Sequence, residues 1–242
     1  MSIENQPNAA ATSADFEFSA LQEAYFYPRA IVREFSPFLS GRIIEVGAGI
    51  GQLTEVLAAN SRATSVLAVE PDAQFANVFR SRCPGIPLVE GCVTSLNGDE
   101  AADAVVSVNV LEHIADDVQE MKRYFHLLNT RSGHLCILTP ARPELYAPID
   151  ADFGHFRRYT KDSLRSALIN SGFSVVDMFY FNFCGYFVWL VNFRLLRKRS
   201  FNPTMVRIYD RLVFRWFCHI ERRLTRPPVG QSLIAIAKAG AR

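Results

Sequence analysis

The residues best suited to chemistry fall into two groups. The first is Glu45-Val46-Gly47-Ala48-Gly49-Ile50-Gly51, which directly follows an apolar, β-branched run (Arg42-Ile43-Ile44) and directly precedes a helical pattern. Glycines at such a place let the backbone turn tightly and let a ligand approach closer than a Cβ would permit, which suits a nucleotide-like ligand. Glu70 ends the next apolar run, 19 residues after Gly51. A carboxylate there, at the carboxyl edge of a sheet, can accept hydrogen bonds from both hydroxyls of a ribose. A dinucleotide loop requires Gly or Ala at position 52, and this chain has Gln52; it also has no GxxxxGKS or GxxxxGKT loop for a triphosphate. The expected ligand is a nucleoside without a pyrophosphate, and a nicotinamide oxidoreductase is disfavoured.

The second group lies in a long stretch from Pro140 to Thr160 that carries Tyr146, Asp150, Asp152, His155, Arg157, Arg158 and Tyr159. Loops of this length are usually functional. His155 is a candidate general base, since an unperturbed imidazole titrates near pH 6.5. His155 and Arg158 are at least as well suited to pinning the loop onto Asp150 or Asp152. Glu112 and His113, further upstream, can cap their loop, and His113 is equally suited to an active-site role. No metal-ligand constellation stands out, and the five cysteines are scattered with no CxxC pair, against a disulfide framework or structural zinc.

These residues need a scaffold, and the hydrophobic period supplies one. From Gly41 to Phe181, short β-branched runs alternate with amphipathic runs, the βαβ signature of a doubly wound parallel sheet in an α/β fold. Strands are predicted at 42–46, 66–69, 86–89, 104–108, 135–139, 173–181 and 232–238, with helices at 52–60, 73–82, 116–128 and 161–171. Thr160 and Ser163 sit at the cap and N3 positions of the last helix, and Gly172 closes it. Residues 20–40 read as one or two helices before the first strand, and 1–19 as a disordered lead-in without a secretory signal. A single domain over 20–242 and a cytoplasmic location are expected.

With the elements in place, the sequence resembles the class I S-adenosylmethionine-dependent methyltransferases over roughly Gly41 to Gly172 plus the final strand. EVGAGIG, LAVEPD (67–72), VEGCVTSL (89–96) and SVNVLEHIAD (107–116) are similar to four family motifs in the correct order. The resemblance implies a Rossmann-like, seven-stranded sheet whose last strand is antiparallel, with S-adenosylmethionine across the carboxyl ends of strands one, two and four. It places Glu45, Gly47, Ala48, Gly49 and Gly51 by the methionine part and ribose, and Glu70 with Pro71 at the ribose diol. Cys92 and Val93 fall by the adenine, where the family often has an acid in place of Cys92, and Asn109 and Val110 line the sulfonium side. GHFRRYT (154–160) resembles a segment of a branch found near sugar, lipid and secondary-metabolite pathways. On this reading His155 and His113 are catalytic candidates, and Tyr25, Arg29, Tyr146, Arg157 and Tyr159 are substrate candidates. Arg29 is equally suited to pairing with the methionine carboxylate or to a solvated position. Methyl transfer to a small or lipid-linked molecule is expected, with O-methylation ahead of N- or C-methylation. The rival is a non-catalytic ligand- or partner-binding protein on the same fold.

Charge is segregated beneath the net +2. Between Arg194 and Arg226 there are ten Lys or Arg against Asp210 and Glu221, so the remainder is acidic on balance. This belongs to an aromatic, arginine-rich insertion at about 182–226, whose run from Met178 to Phe193 is too short and polar for a transmembrane span. Its second part places Val206, Tyr209, Leu212, Val213, Trp216, Phe217 and Ile220 at helical spacing, as a lid over an apolar pocket, a homodimer interface or a peripheral membrane contact. No nucleic-acid motif accompanies the charge.

Overall fold

The computed structural model describes residues 22–60, 62–96, 100–224 and 226–240; the lead-in expected at 1–19 and the start of the first helical segment lie outside them. The strands are β1 (Gly41–Val46), β2 (Ala63–Glu70), β3 (Leu88–Glu90), β4 (Ala104–Val108), β5 (His134–Pro140), β6 (Ser174–Phe181) and β7 (Ser232–Lys238). They form one seven-stranded sheet in the order β3-β2-β1-β4-β5-β7-β6. All neighbouring pairs are parallel except those of β7, which runs antiparallel to both β5 and β6. The third strand starts two residues later than its apolar pattern suggests: Pro87 lacks an amide hydrogen, and pairing with β2 begins at Leu88.

Parallel strands are covered on both faces, so they read as continuous apolar runs. Ala104, Val105 and Val106 in β4 and Leu135 to Leu138 in β5 have no exposure at all. One face is covered by α4 (Asp117–Asn129) and α6 (Lys161–Asn170), which bury Met121, Tyr124, Leu164 and Leu168. The other is covered by α1 (Phe26–Phe35) and α2 (Gln52–Ala58), through Ile31, Phe35, Leu53 and Leu57. Burying a side chain of this size is worth about 1.5–3 kcal/mol. α3 (Ala73–Arg82) is capped by Asp72, whose carboxylate accepts from the amides of Gln74 and Phe75. The cap of α6 is as predicted: Thr160 Oγ1 accepts from the Ser163 amide and Ser163 Oγ from the Thr160 amide, both at 3.0 Å.

Two additions lie over the carboxyl edge of the sheet. The β5 loop carries a short helix, α5 (Pro148–Asp152). The insertion after β6 comprises α7 (Phe183–Trp189), prolonged by a π-helical segment to Leu195, and then α8 (Pro203–Ile208), continuous through a second π segment with α9 (Arg215–Leu224). The two additions pack together through Leu145, Ile149, Trp189 and Phe193, and Trp189 Nε1 donates to the Leu145 carbonyl at 3.1 Å.

The insertion also holds the N-terminal helix. Asp210, 2% exposed, accepts the amides of Tyr25, Phe26 and Tyr27 at 2.8, 2.8 and 2.9 Å. It thereby satisfies the orphan donors at the start of α1 with a negative charge. The inward stripe of α8–α9 is Asp210, Phe214 and Cys218, spaced by four, while Leu212, Trp216, Phe217 and Ile220 are 64, 62, 44 and 45% exposed. The apolar face expected from helical spacing is thus divided: part lines a cavity and part faces outward.

Candidate active site

The glycine loop joins β1 to α2 beside β4, where strand order reverses; ligands of open α/β sheets bind in the crevice at such a point. Gly47 and Ala48 donate their amides to the Val69 carbonyl at 2.9 and 3.1 Å, fastening the loop to β2. Glu70 completes the fastening: Oε2 accepts from the Gly49 amide at 2.7 Å and Oε1 from the Asp72 amide at 2.9 Å. Each carboxylate oxygen keeps a second lone pair for another donor. Burial pushes the Glu70 carboxyl above its ordinary range, against the two amides that favour its ionised form.

The glycines do different work. At Gly51 (φ +85°) a Cβ would lie 2.7 Å from Cys83 Sγ, so this position is fixed by packing. At Gly49 (φ +54°) a Cβ would meet nothing within 4 Å. Space kept open above a loop whose backbone is fully tied down fits a ligand that lies against it. Glu45 is buried beneath the loop and accepts from Thr54 Oγ1 at 2.6 Å. Burial raises its pKa to about 8, against the Thr54 hydrogen bond and with a contribution from Glu70.

The other residues proposed for the cofactor sit at the same edge. Pro71 follows β2, and Cys92 (exposed) and Val93 (buried) follow β3. Asn109 follows β4 with φ +54°, a conformation Asn tolerates better than most residues. Val110 packs against the glycine loop, its Cγ2 2.3 Å from where a Gly47 Cβ would be. The residues present therefore fit a nucleoside cofactor: an open cradle, a fixed acid and a half-buried apolar wall.

Asn109 also lines a cavity of about 880 Å³ that extends beneath the insertion. Glu112 and His113 from the β4 loop and His155 and Arg158 from the β5 loop line it on the sheet side, and Trp189, Phe193, Phe201, Val206, Val213 and Phe214 on the insertion side. The two loops converge because β4 and β5 are parallel neighbours. The amide of Phe156 donates to the Glu112 carbonyl at 2.7 Å, locking them together.

Asp150, fully buried, organises this end. It accepts from His155 Nδ1 at 3.0 Å, from Arg158 Nε at 2.9 Å and Nη2 at 2.8 Å, and from the Ala147 amide at 2.8 Å. Burial alone would raise its pKa, but His155 and Arg158 outweigh that and hold it below the usual carboxylate range. Arg158 stacks on Trp189 with 4.4 Å to the ring centroid. The rings of His113 and His155 meet edge to face at 4.7 Å. Burial, reinforced by His155, lowers the His113 pKa to about 4 despite a hydrogen bond to the Phe153 backbone, so the ring is neutral at physiological pH.

The two catalytic candidates, His113 and His155, are therefore brought together, but the substrate candidates are not. Tyr159 is 2% exposed, and its hydroxyl donates to Asp117 at 2.6 Å. Arg157 pairs with the same carboxylate at 2.9 Å and donates to the Ala115 carbonyl. Tyr146 donates its hydroxyl to the His155 carbonyl. Arg29 stacks on Tyr25 at 3.6 Å and donates to its carbonyl. None of the five lines the cavity: Tyr146, Arg157 and Tyr159 brace the loops, while Tyr25 and Arg29 pair with each other at an exposed position. The residues near Tyr25 and Arg29 that do line it are Ala24 and Tyr27. Sequence reasoning also missed Glu112 as a buried wall and Asp210 as the cap of α1. The signal for Asp210 was there: it is one of only two acids in a strongly basic insertion.

The sequence matches the methyltransferase-domain family over residues 20–178. The chain belongs to that family. It is an S-adenosylmethionine-dependent methyltransferase of class I, and S-adenosylmethionine is its cofactor. No curated protein matches it. Among solved structures, this methyltransferase shares its fold with a Haloferax volcanii protein solved with the Trm112 methyltransferase activator (TM-score 0.64, 12% identity, 98% of this chain and 100% of that one). It is also similar to an S-adenosylmethionine-dependent methyltransferase from Mesorhizobium loti (0.58, 20%, 86% and 95%). A third is phosphoethanolamine N-methyltransferase 2 of Haemonchus contortus in complex with S-adenosyl-L-methionine (0.61, 17%, 90% and 53%).

Proposed function

We propose that this methyltransferase acts on the hydroxyl group of a bulky, largely apolar acceptor, a small or lipid-linked molecule of sugar, lipid or secondary metabolism. The observation that carries the reading is the cavity of about 880 Å³, polar at the sheet edge and lined beneath the insertion by aromatic and aliphatic side chains together with Asn192, Lys198, Ser200 and Asn202. Its volume falls within the range of about 300–1,000 Å³ typical of small-molecule sites. Bound S-adenosylmethionine supplies an electrophilic methyl group on a sulfonium sulfur. Glu70 orients the ribose, the tied loop at Gly47 to Gly49 leaves room for the adjoining part, and Asn109 separates the cofactor edge from the acceptor cavity. The acceptor's hydroxyl meets the end formed by Glu112, His113 and His155, where its proton is removed, and the aromatic roof holds the acceptor's apolar body.

Peripheral membrane contact by a cytoplasmic protein is a second reading of the insertion, favoured by one observation. Eleven of the fifteen exposed large apolar side chains among the described residues lie between Phe187 and Ile220, interleaved with arginines. Among the described residues no helix is long and apolar enough to cross a membrane.

Calorimetry with S-adenosylhomocysteine and NAD(P), followed by transfer of labelled methyl groups into a cell extract, tests the proposal. Expected are binding of the first ligand only and a labelled product that partitions into organic solvent. In Gly49→Val the added side chain enters the open cradle, so binding is lost while melting stays cooperative; retained affinity refutes the placement. Label confined to water-soluble products refutes an apolar acceptor.

A further inference from the structure

We infer that Glu112, His113 and His155 form a binding site for one divalent first-row transition-metal ion at the sheet end of the acceptor cavity. The ligand atoms offered by the three side chains lie within 4.8 Å of one another. Donors at about 2.1 Å from a common ion are at most about 4.2 Å apart, so small side-chain rotations suffice to close the set.

The surroundings make this more than proximity. A metal-binding histidine ordinarily presents one nitrogen to the ion and donates the other N–H to a carboxylate or carbonyl, which fixes both tautomer and ring orientation. Both histidines here have that second partner. His155 Nδ1 lies 3.0 Å from Asp150, a carboxylate held in turn by Arg158 and the Ala147 amide. His113 is hydrogen-bonded to the Phe153 backbone. The two rings pack edge to face with their centroids 4.7 Å apart.

Charge points the same way. Glu112 and Asp150 are both fully buried, and Arg158, 6% exposed, is the buried cation beside them. A cation bound at Glu112 lowers the cost of burying its carboxylate. Two imidazoles and one carboxylate favour zinc, manganese, iron or cobalt over magnesium or calcium, which prefer all-oxygen sites. Three protein ligands leave positions open toward the cavity, the pattern of a catalytic rather than a structural site.

The consequence for catalysis rests on the acceptor reading above. A hydroxyl bound to the ion releases its proton to solvent at lower pH than a free hydroxyl. Its oxygen lone pair then forms the new bond to the sulfonium methyl carbon, while the carbon–sulfur pair stays on sulfur and S-adenosylhomocysteine leaves.

The test uses full-length, untagged, metal-stripped protein and Co²⁺ as probe, because its visible absorption reports nitrogen and oxygen ligation directly. One equivalent of Co²⁺ should produce the band, and Zn²⁺ should displace it. Glu112→Gln and His155→Asn each remove a direct ligand and should weaken Co²⁺ binding by more than the roughly 10- to 100-fold typical of losing a ligand's outer partner, with binding of S-adenosylhomocysteine within threefold of wild type. If either single variant is unfolded, the other carries the comparison. Absence of a band in wild type, or a band unchanged in the folded variants, overturns the metal site. Failure of S-adenosylhomocysteine binding in wild type instead overturns the cofactor placement, so the two failures are distinguishable.

Discussion

Glu70→Gln is the most incisive single change at the cofactor edge, because it alters one atom and one charge on a carboxylate whose two oxygens each already accept a backbone amide. The carboxylate accepts the Gly49 amide on one oxygen and the Asp72 amide on the other. A carboxamide can accept on only one side, so its NH₂ must face one of the two backbone N–H groups, donor against donor. The same NH₂ replaces an acceptor that the ribose diol would use. A hydrogen bond to a charged group is worth about 1.5–3 kcal/mol, so loss of one ribose contact predicts about 10- to 150-fold weaker binding of S-adenosylhomocysteine. The donor clash costs a further 1–3 kcal/mol of folding stability, about 2–12 °C in melting temperature for a chain of this size. Calorimetry and thermal melts of the same preparation measure the two effects. Binding within threefold of wild type in a folded variant would refute the assignment of Glu70 to the ribose.

Other perturbations test separate parts of the structure. Asp150→Ala leaves Arg158 buried without its main partner, which costs about 3–5 kcal/mol and lowers the melting temperature by about 10 °C. Because the Asp150 carboxyl is held below its unfolded value of about 3.9, its contribution is complete above that pH and is lost as pH falls through the folded value. Wild-type and variant stability curves should therefore converge in acid, and parallel curves would contradict the pairing. Glu45 has the opposite sign: its pKa is raised to about 8, so wild type loses up to about 1.4 kcal/mol per pH unit between about pH 4.5 and 8. Glu45→Gln should flatten that dependence, measured as melting temperature at pH 6 against pH 9. For the insertion, Trp216→Ser combined with Phe217→Ser should abolish cosedimentation with anionic vesicles without altering S-adenosylhomocysteine affinity; unchanged cosedimentation removes these side chains from any membrane contact.

How much of this was legible in sequence depends on whether a residue's role is set by its neighbours in the chain or by its neighbours in space. The strands β1, β4, β5 and β7 announce themselves because burial on both faces demands unbroken apolar runs. The glycine loop and Glu70 were legible for a related reason: a turn from strand to helix and an acid at the next strand's end are local features. β3 was displaced by two residues because a three-residue strand offers almost no period to read.

Direction is what a sequence does not carry. Arg157 and Tyr159 are chemically apt for a substrate pocket, yet both turn to Asp117, 40 and 42 positions earlier, and nothing in the local pattern distinguishes strut from wall. The apolar residues of α8–α9 divide between cavity and surface because Asp210, a charged residue, takes an inward place on the stripe. An amphipathicity argument assigns an aspartate to solvent, and here three backbone amides of another segment hold it inside. The meeting of His113 with His155 lies between these cases. The residues are 42 apart, but His113 follows β4 and His155 follows β5, and parallel neighbours project their carboxyl-end loops into one volume. Placing both histidines on loops after adjacent strands was enough to expect an encounter. Asp150, one of the two acids offered for pinning His155 and Arg158, is the one that holds the imidazole; what could not be expected was the burial of Glu112, which makes the encounter a three-donor cluster.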